Sequence, residues 1–198
     1  MGFTEAYGRD ERFQKVGRDL FISGAVTSHG GNLSERDGDT IFISRRNSML
    51  GRMVDGDVVA TGIEAGERDS LCSRELVVHR AIYHACDAGA IVHAHTLNTI
   101  FRSLVDDAIR PIDSEAKYIF GGEVPIIRPS KTVGSEEGAA LLADLFASSE
   151  TVIAVMASHG PFAIGATLEE ALYRVSALEA SCALLNMLDS TGRTLREV

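Results

Sequence analysis

Apolar side chains recur at Phe13, Val16, Leu20 and Phe21, spacings of three, four and one that lay a stripe along one face of a helix from about Glu5 to Ala25. The run SHGGNLSERDGD interrupts that stripe with turn-forming residues, and two short β-rich runs follow, TIFIS at 40–44 and DVVA at 57–60. AGERD reads as a loop. Helical spacing returns at Leu76, Val77, Ala81, Ile82 and Ala85, which predicts a second helix from about Ser73 to Ala88. AIVHAHT is short, β-branched and bounded by Gly89, so it reads as a strand, and EVPII and TVIAVMAS read the same way. Thr167 with Glu170 three residues later has the capping-box pattern ahead of an apolar-periodic run, and a last helix should span about Leu168 to Leu188. No linker, repeat or low-complexity stretch separates these elements. Helices and strands should therefore share one layered core, with residues 1–198 forming a single α/β domain.

Composition supports that reading and narrows the partners. A chain of 198 residues with 45% hydrophobic content can bury one sizeable core. Its 28 acidic against 19 basic residues give a net charge of −9, which repels phosphate backbones and anionic lipid, so neither nucleic acid nor a membrane surface is the expected partner. The N-terminal residues MGFTEAYGRDERF contain no apolar targeting core, and no stretch reaches the roughly 18 apolar residues of a membrane span. Cys72, Cys86 and Cys182 are odd in number and lie in apolar contexts, as reduced thiols do. A soluble cytoplasmic protein is expected.

The candidate chemistry lies in AIVHAHT. Side chains at i and i+2 of a strand project from the same face, so His93 and His95 stand side by side and can offer two imidazole nitrogens to one divalent ion. Four further histidines could supply a third. His159 is the best placed, because it follows the apolar run TVIAVMAS and precedes Gly160-Pro161, where a strand ends in a tight turn. His79 and His84 fall on a helix with apolar neighbours and read as structural or surface residues, and His29 reads as part of a loop.

GGNLSER, the SRE of LCSRELVVH, VHAHT, and ASHG with its following helix occur in an order and at separations that resemble the class II aldolase/adducin family. The resemblance covers nearly the whole chain, and by motif it stands nearest the fuculose-1-phosphate aldolase type. It implies a three-layer α/β/α fold with a mostly antiparallel central sheet, and a homotetramer with active sites between subunits. It also implies a divalent metal on His93, His95 and His159, with zinc as the default. Manganese, cobalt, nickel and iron also suit three imidazole nitrogens. Carried over residue by residue, the acid/base carboxylate falls on Glu75, in the first turn of the second helix. Binding of the substrate's phosphate falls on Gly31 and Asn32, where a glycine lets backbone N–H groups converge and an asparagine amide can donate.

Three departures from the family pattern re-equip the pocket. Arg46-Asn47 stands where relatives carry Thr-Gly, and Ser73-Arg74 where they carry Ser-Ser, so Arg46 and Arg74 offer planar forks for phosphate or carboxylate. Glu115, in DSEAKYIFGG, replaces a tyrosine that the aldolases present to a neighbouring subunit, and so resembles the acid/base glutamate of the methylthioribulose-1-phosphate dehydratase branch. The expected activity is reversible cleavage of a phosphorylated ketose into dihydroxyacetone phosphate and an aldehyde. A related dehydratase, epimerase or decarboxylase is the alternative within the family, and a non-catalytic adducin-like assembly module is the alternative outside enzymology.

Overall fold

The computed structural model describes residues 8–196. The first helix, α1 (Arg9–Ile22), carries Phe13, Val16 and Leu20 into the core as their spacing requires. Phe21, expected in the same stripe, lies 41% exposed. Strands β1 (Asn32–Asp37), β2 (Thr40–Ser44) and β3 (Val58–Gly62) form an antiparallel meander. Helix α2 (Leu76–Ala85) leads into β4 (Ala90–His93), then α3 (Leu97–Val105), β5 (Ala108–Ile109), α4 (Ser114–Phe120) and β6 (Val124–Ile127). The chain continues through α5 (Glu136–Ser148), the hairpin of β7 (Ile153–Met156) and β8 (Gly160–Gly165), and the long α6 (Leu168–Thr191).

The eight strands among the described residues join one sheet in the order β3-β2-β1-β4-β8-β7-β6-β5. The sheet, expected to be mostly antiparallel, is mixed: β6 and β7 run parallel while the other neighbouring pairs run antiparallel. The reason is topological: β6 and β7 are joined through α5, and a parallel pair needs such a crossover. Side chains alternate across the sheet and feed two separate cores. One gathers Phe13, Leu20, Val92, Val155, Val175 and Leu178, under α1 and α6. The other gathers Ile43, Ile82, Tyr83, Ile91, Leu142 and Phe146, under α2 and α5. Each fully buried Leu, Ile or Phe among them contributes about 1.5–3 kcal/mol.

One helix start forms where expected and another shifts. The cap of α6 forms as the Thr167 and Glu170 pattern requires, with Thr167 Oγ1 accepting from Glu170 N at 3.3 Å; the Glu170 carboxylate turns to Ala166 N, at 2.6 Å, instead of the cap residue's own amide. Helix α2 starts three residues later than its periodicity suggests, which leaves Glu75 at the N-cap position and not in the first turn. Its side chain turns to Gly134 N and to His159 of the β7–β8 turn.

Candidate metal centre

β4 lies in the middle of the sheet between β1 and β8, and His93 is its last residue, paired across to Asn32 on one side and Phe162 on the other. The strand ends there, so His95 is placed by a loop contact and not by the ladder: its N–H donates to Ala25 O at 3.0 Å. His159 comes from the β7–β8 turn. Ser158 takes a φ of 62° there, and Gly160 takes 136° while passing so close to Ala94 that a Cβ would lie 2.1 Å from its carbonyl oxygen. The turn is held by Ser158 N donating to Ser103 Oγ of α3 at 3.0 Å.

These constraints bring the three imidazoles together. His93 Nε2 lies 3.0 Å from His159 Nε2 and 3.1 Å from His95 Nε2. Two nitrogens each about 2.0–2.1 Å from one divalent ion stand roughly 2.9–3.4 Å apart, so this spacing suits ligands of a shared ion. The tautomer is set as well. His93 Nδ1 lies 3.0 Å from Pro161 O, a group that can only accept, so the ring proton sits on Nδ1 and the Nε2 lone pair points to the centre. Burial holds the His93 imidazole well below its ordinary range, with its two histidine neighbours adding to the effect; burial, then His159, brings His95 down to about 4. Both rings are therefore neutral, as ligands must be, at neutral pH.

Glu75 lies beside this cluster and is 3% exposed. Its Oε1 accepts from Gly134 N at 2.8 Å and lies 3.6 Å from His159 Nε2, while its buried Oε2 has no hydrogen-bond partner among the described residues. A buried carboxylate oxygen without a donor, beside three converging imidazole nitrogens, is an arrangement short of positive charge. A divalent cation on His93, His95 and His159 meets that deficit, so the residues fit the group.

Of the other residues singled out in the sequence, Gly31, Asn32, Arg46, Ser73 and Arg74 line the same open pocket as Glu75 and the three histidines. Gly31 has a φ of 77°, and a Cβ there would lie 2.7 Å from His93 O, so only glycine lets the loop pass beneath the cluster. Arg46 donates its Nε–H to Cys72 O at 3.2 Å; among the described residues no carboxylate pairs with either Arg46 or Arg74. Glu115 is not brought to this pocket. It lies exposed in the first turn of α4. His79 is fully buried and His84 is half-exposed, whereas His29, read as a loop residue, lies at the pocket rim. Three contributors were not read from the sequence. Gly30 packs against His95, where a Cβ would lie 2.8 Å from Nδ1; Gly134 fixes Glu75; and Ser44 lines the pocket from the end of β2. For Gly30 the doubled glycine was a usable signal, but Gly134 binds through a backbone amide that any residue could offer.

An α/β fold with a three-histidine centre beside a carboxylate defines the class. Residues 11–185 match the family model described as Class II Aldolase and Adducin N-terminal domain, and the chain belongs to that family. Class II aldolases use a divalent metal, and the histidine cluster is the group able to hold it here. Among curated relatives, the L-fuculose phosphate aldolase of Methanocaldococcus jannaschii is 28% identical over 90% of this chain and 97% of its own. The 3-oxo-tetronate 4-phosphate decarboxylase of Cupriavidus necator is 27% identical over 98% of this chain and 90% of its own. The crystal structure of L-fuculose-1-phosphate aldolase from Thermus thermophilus superposes with a TM-score of 0.86 at 29% identity, covering 94% of this chain and 98% of that one.

Proposed function

We propose that the protein is a zinc-dependent lyase that reversibly cleaves a phosphorylated ketose, such as fuculose 1-phosphate or a related deoxyketose 1-phosphate, into dihydroxyacetone phosphate and an aldehyde. The observation that carries this reading is the buried Glu75 carboxylate lining one pocket with three converging imidazole nitrogens and two arginines that no carboxylate pairs among the described residues. His93, His95 and His159 would hold the metal, which when bound acts as a Lewis acid toward negative charge developing on substrate oxygens. The chain's own groups do the rest. Gly31, Asn32 and Ser73, with Arg46 and Arg74, form the wall that receives the phosphate and orients the ketose. When the C–C bond breaks, a hydroxyl loses its proton as it becomes the aldehyde, and the carbon left behind gains one; Glu75, the carboxylate beside the cluster, would move a proton between them. Gly134 N, donating to Oε1 at 2.8 Å, fixes this carboxylate beside His159.

The assay offers metal-loaded protein fuculose 1-phosphate, ribulose 1-phosphate and 5-deoxypentulose phosphates, with the aldehyde followed by coupled reduction. Cleavage of at least one is expected, and Glu75→Gln should lower kcat about 10²–10⁴-fold with bound metal retained. Cleavage of none by the metal-loaded protein overturns the reading. A dehydratase, epimerase or decarboxylase built on the same centre is the second reading, favoured by the match to a sugar-acid phosphate decarboxylase along nearly the whole chain. Glu115 would then reach a site only across a subunit boundary, and loss of turnover in Glu115→Gln but not in Glu75→Gln selects a dehydratase. The proposal includes a three-layer arrangement, which the two separate cores support, and a cytoplasmic homotetramer with sites between subunits. Leu97, Phe101, Leu104 and Val105, exposed by 74, 50, 58 and 59% along α3, support an assembled state.

A further inference from the structure

Behind Asn32 of the pocket wall lies a chain of three buried polar groups that the proposed chemistry does not use. Tyr83 Oη lies 2.7 Å from Ser34 Oγ, Ser34 Oγ lies 2.6 Å from His79 Nδ1, and His79 Nε2 lies 2.5 Å from Asn32 Oδ1. Tyr83 is 1% exposed, Ser34 and His79 are 0%, and Asn32 is 4%. Four polar side chains in a row at that depth are costly unless every donor finds an acceptor, so the direction of each bond can be worked out.

Both ends give the same direction. At the inner end, the Tyr83 hydroxyl has Ser34 as its only hydrogen-bond partner among the described residues, and burial pushes its phenol up, so it stays protonated and must donate to Ser34 Oγ. Ser34 then turns its own proton to His79 Nδ1. Burial holds the His79 imidazole down at about 3, so the ring is neutral with one N–H, and that proton sits on Nε2 and goes to Asn32. At the outer end, Asn32 Oδ1 can only accept, which again requires His79 Nε2–H. The opposite order would leave a buried phenolic proton unpaired, at a cost of about 1–3 kcal/mol.

With its oxygen taken, Asn32 has only its amide NH2 left. No described residue engages that nitrogen, and Asn32 lines the pocket in register with His93. We infer that His79 is a positioning residue: the Tyr83–Ser34–His79 chain locks the Asn32 amide so that its N–H groups, never its oxygen, face the pocket, which makes this wall selective for an anionic group of the substrate. An asparagine free to turn over would present an acceptor to the anion half of the time. The selectivity rests on the reading that the pocket takes a phosphorylated ligand; the locked amide does not.

Two measurements on the metal-loaded protein test this. Long-range ¹H–¹⁵N spectra of histidine-labelled protein should show His79 with its proton on Nε2 at neutral pH; a proton on Nδ1 overturns the inference whatever the substrate. Calorimetric titration with inorganic phosphate and, separately, with uncharged dihydroxyacetone reads the selectivity. His79→Phe should weaken phosphate about tenfold, and Tyr83→Phe, which removes one oxygen at the far end of the chain, about threefold. Dihydroxyacetone binding and metal content should stay as in the wild type. Should His79→Phe fail to fold, the tyrosine variant carries the test alone. Wild-type protein that binds phosphate, with variants that bind it equally well or lose both ligands together, overturns the positioning role. Wild-type protein that binds no phosphate overturns the substrate reading and its selectivity, while the tautomer still decides whether the amide is locked.

Discussion

At the scale of single residues, the buried histidines have consequences beyond metal binding. His79 is held at about 3 by burial, whereas an unfolded chain returns it to about 6.5, so between these values the unfolded state binds more protons than the folded one. The folded state therefore gains stability as pH rises through this window and loses it as pH falls from about 6.5 toward 3. For metal-free protein the contribution of His79 lost by pH 5 is about 2 kcal/mol. Urea unfolding at pH 7 and pH 5 measures it, and the drop in stability between the two should be smaller in His79→Phe than in the wild type. An equal drop in both would mean that His79 is not buried in its neutral form. The chemistry of this scale was the most legible part of the sequence. The structure brings His93, His95 and His159 together; the strand end and the strand-ending turn are local features and could be read, whereas His95 lies past the end of β4, outside the strand face its i, i+2 spacing suggests, and is placed by its contact to Ala25 O. Gly134 could not be read so, because its contact to Glu75 spans 59 positions and uses only main-chain atoms.

At the scale of elements, legibility followed the burial of apolar residues. The helices α1, α2 and α6 and the strands β2, β4, β6 and β7 all announced themselves by periodicity or β-branched runs. β1 did not, because Asn32, Ser34 and Glu35 are buried polar residues whose partners lie elsewhere; Glu35, for example, accepts from Arg12 of α1 at 2.8 Å. Helix α3 was missed for a related reason. Its buried residues are Thr99, Arg102 and Ser103 while its leucines face outward, and its N-terminus is capped from 80 positions away by Glu179, which accepts from Asn98 N at 3.0 Å and Thr99 N at 2.9 Å. Since α3 carries Ser103, which steadies the turn that presents His159, the cap should reach the metal centre. Glu179→Ala is expected to cost about 2 kcal/mol in urea unfolding and to weaken metal binding, while Glu179→Gln, which keeps one acceptor, should recover part of both. Unchanged stability in Glu179→Ala would show that α3 does not depend on this cap.

At the scale of the whole molecule, the sheet places the imidazoles of β4 and the β7–β8 turn at one end, with the pocket opening beside them. No helix among the described residues is long and apolar enough to cross a membrane, and the three cysteines are free. The apolar face of α3 is the surface expected to be covered on assembly. Light scattering should give a mass near four chains for the wild type and a smaller species for Phe101→Glu; a monomeric wild type at micromolar concentration would remove the shared-site part of the proposal. The claim on which the rest depends is that three imidazoles hold one ion. Titration of metal-free protein with zinc, followed by elemental analysis after dialysis, tests it most directly. One ion per chain is expected, with affinity lowered at least about 100-fold in His159→Ala while the far-ultraviolet circular dichroism is retained. Absence of bound metal in the wild type, or equal affinity in His159→Ala, would contradict the account.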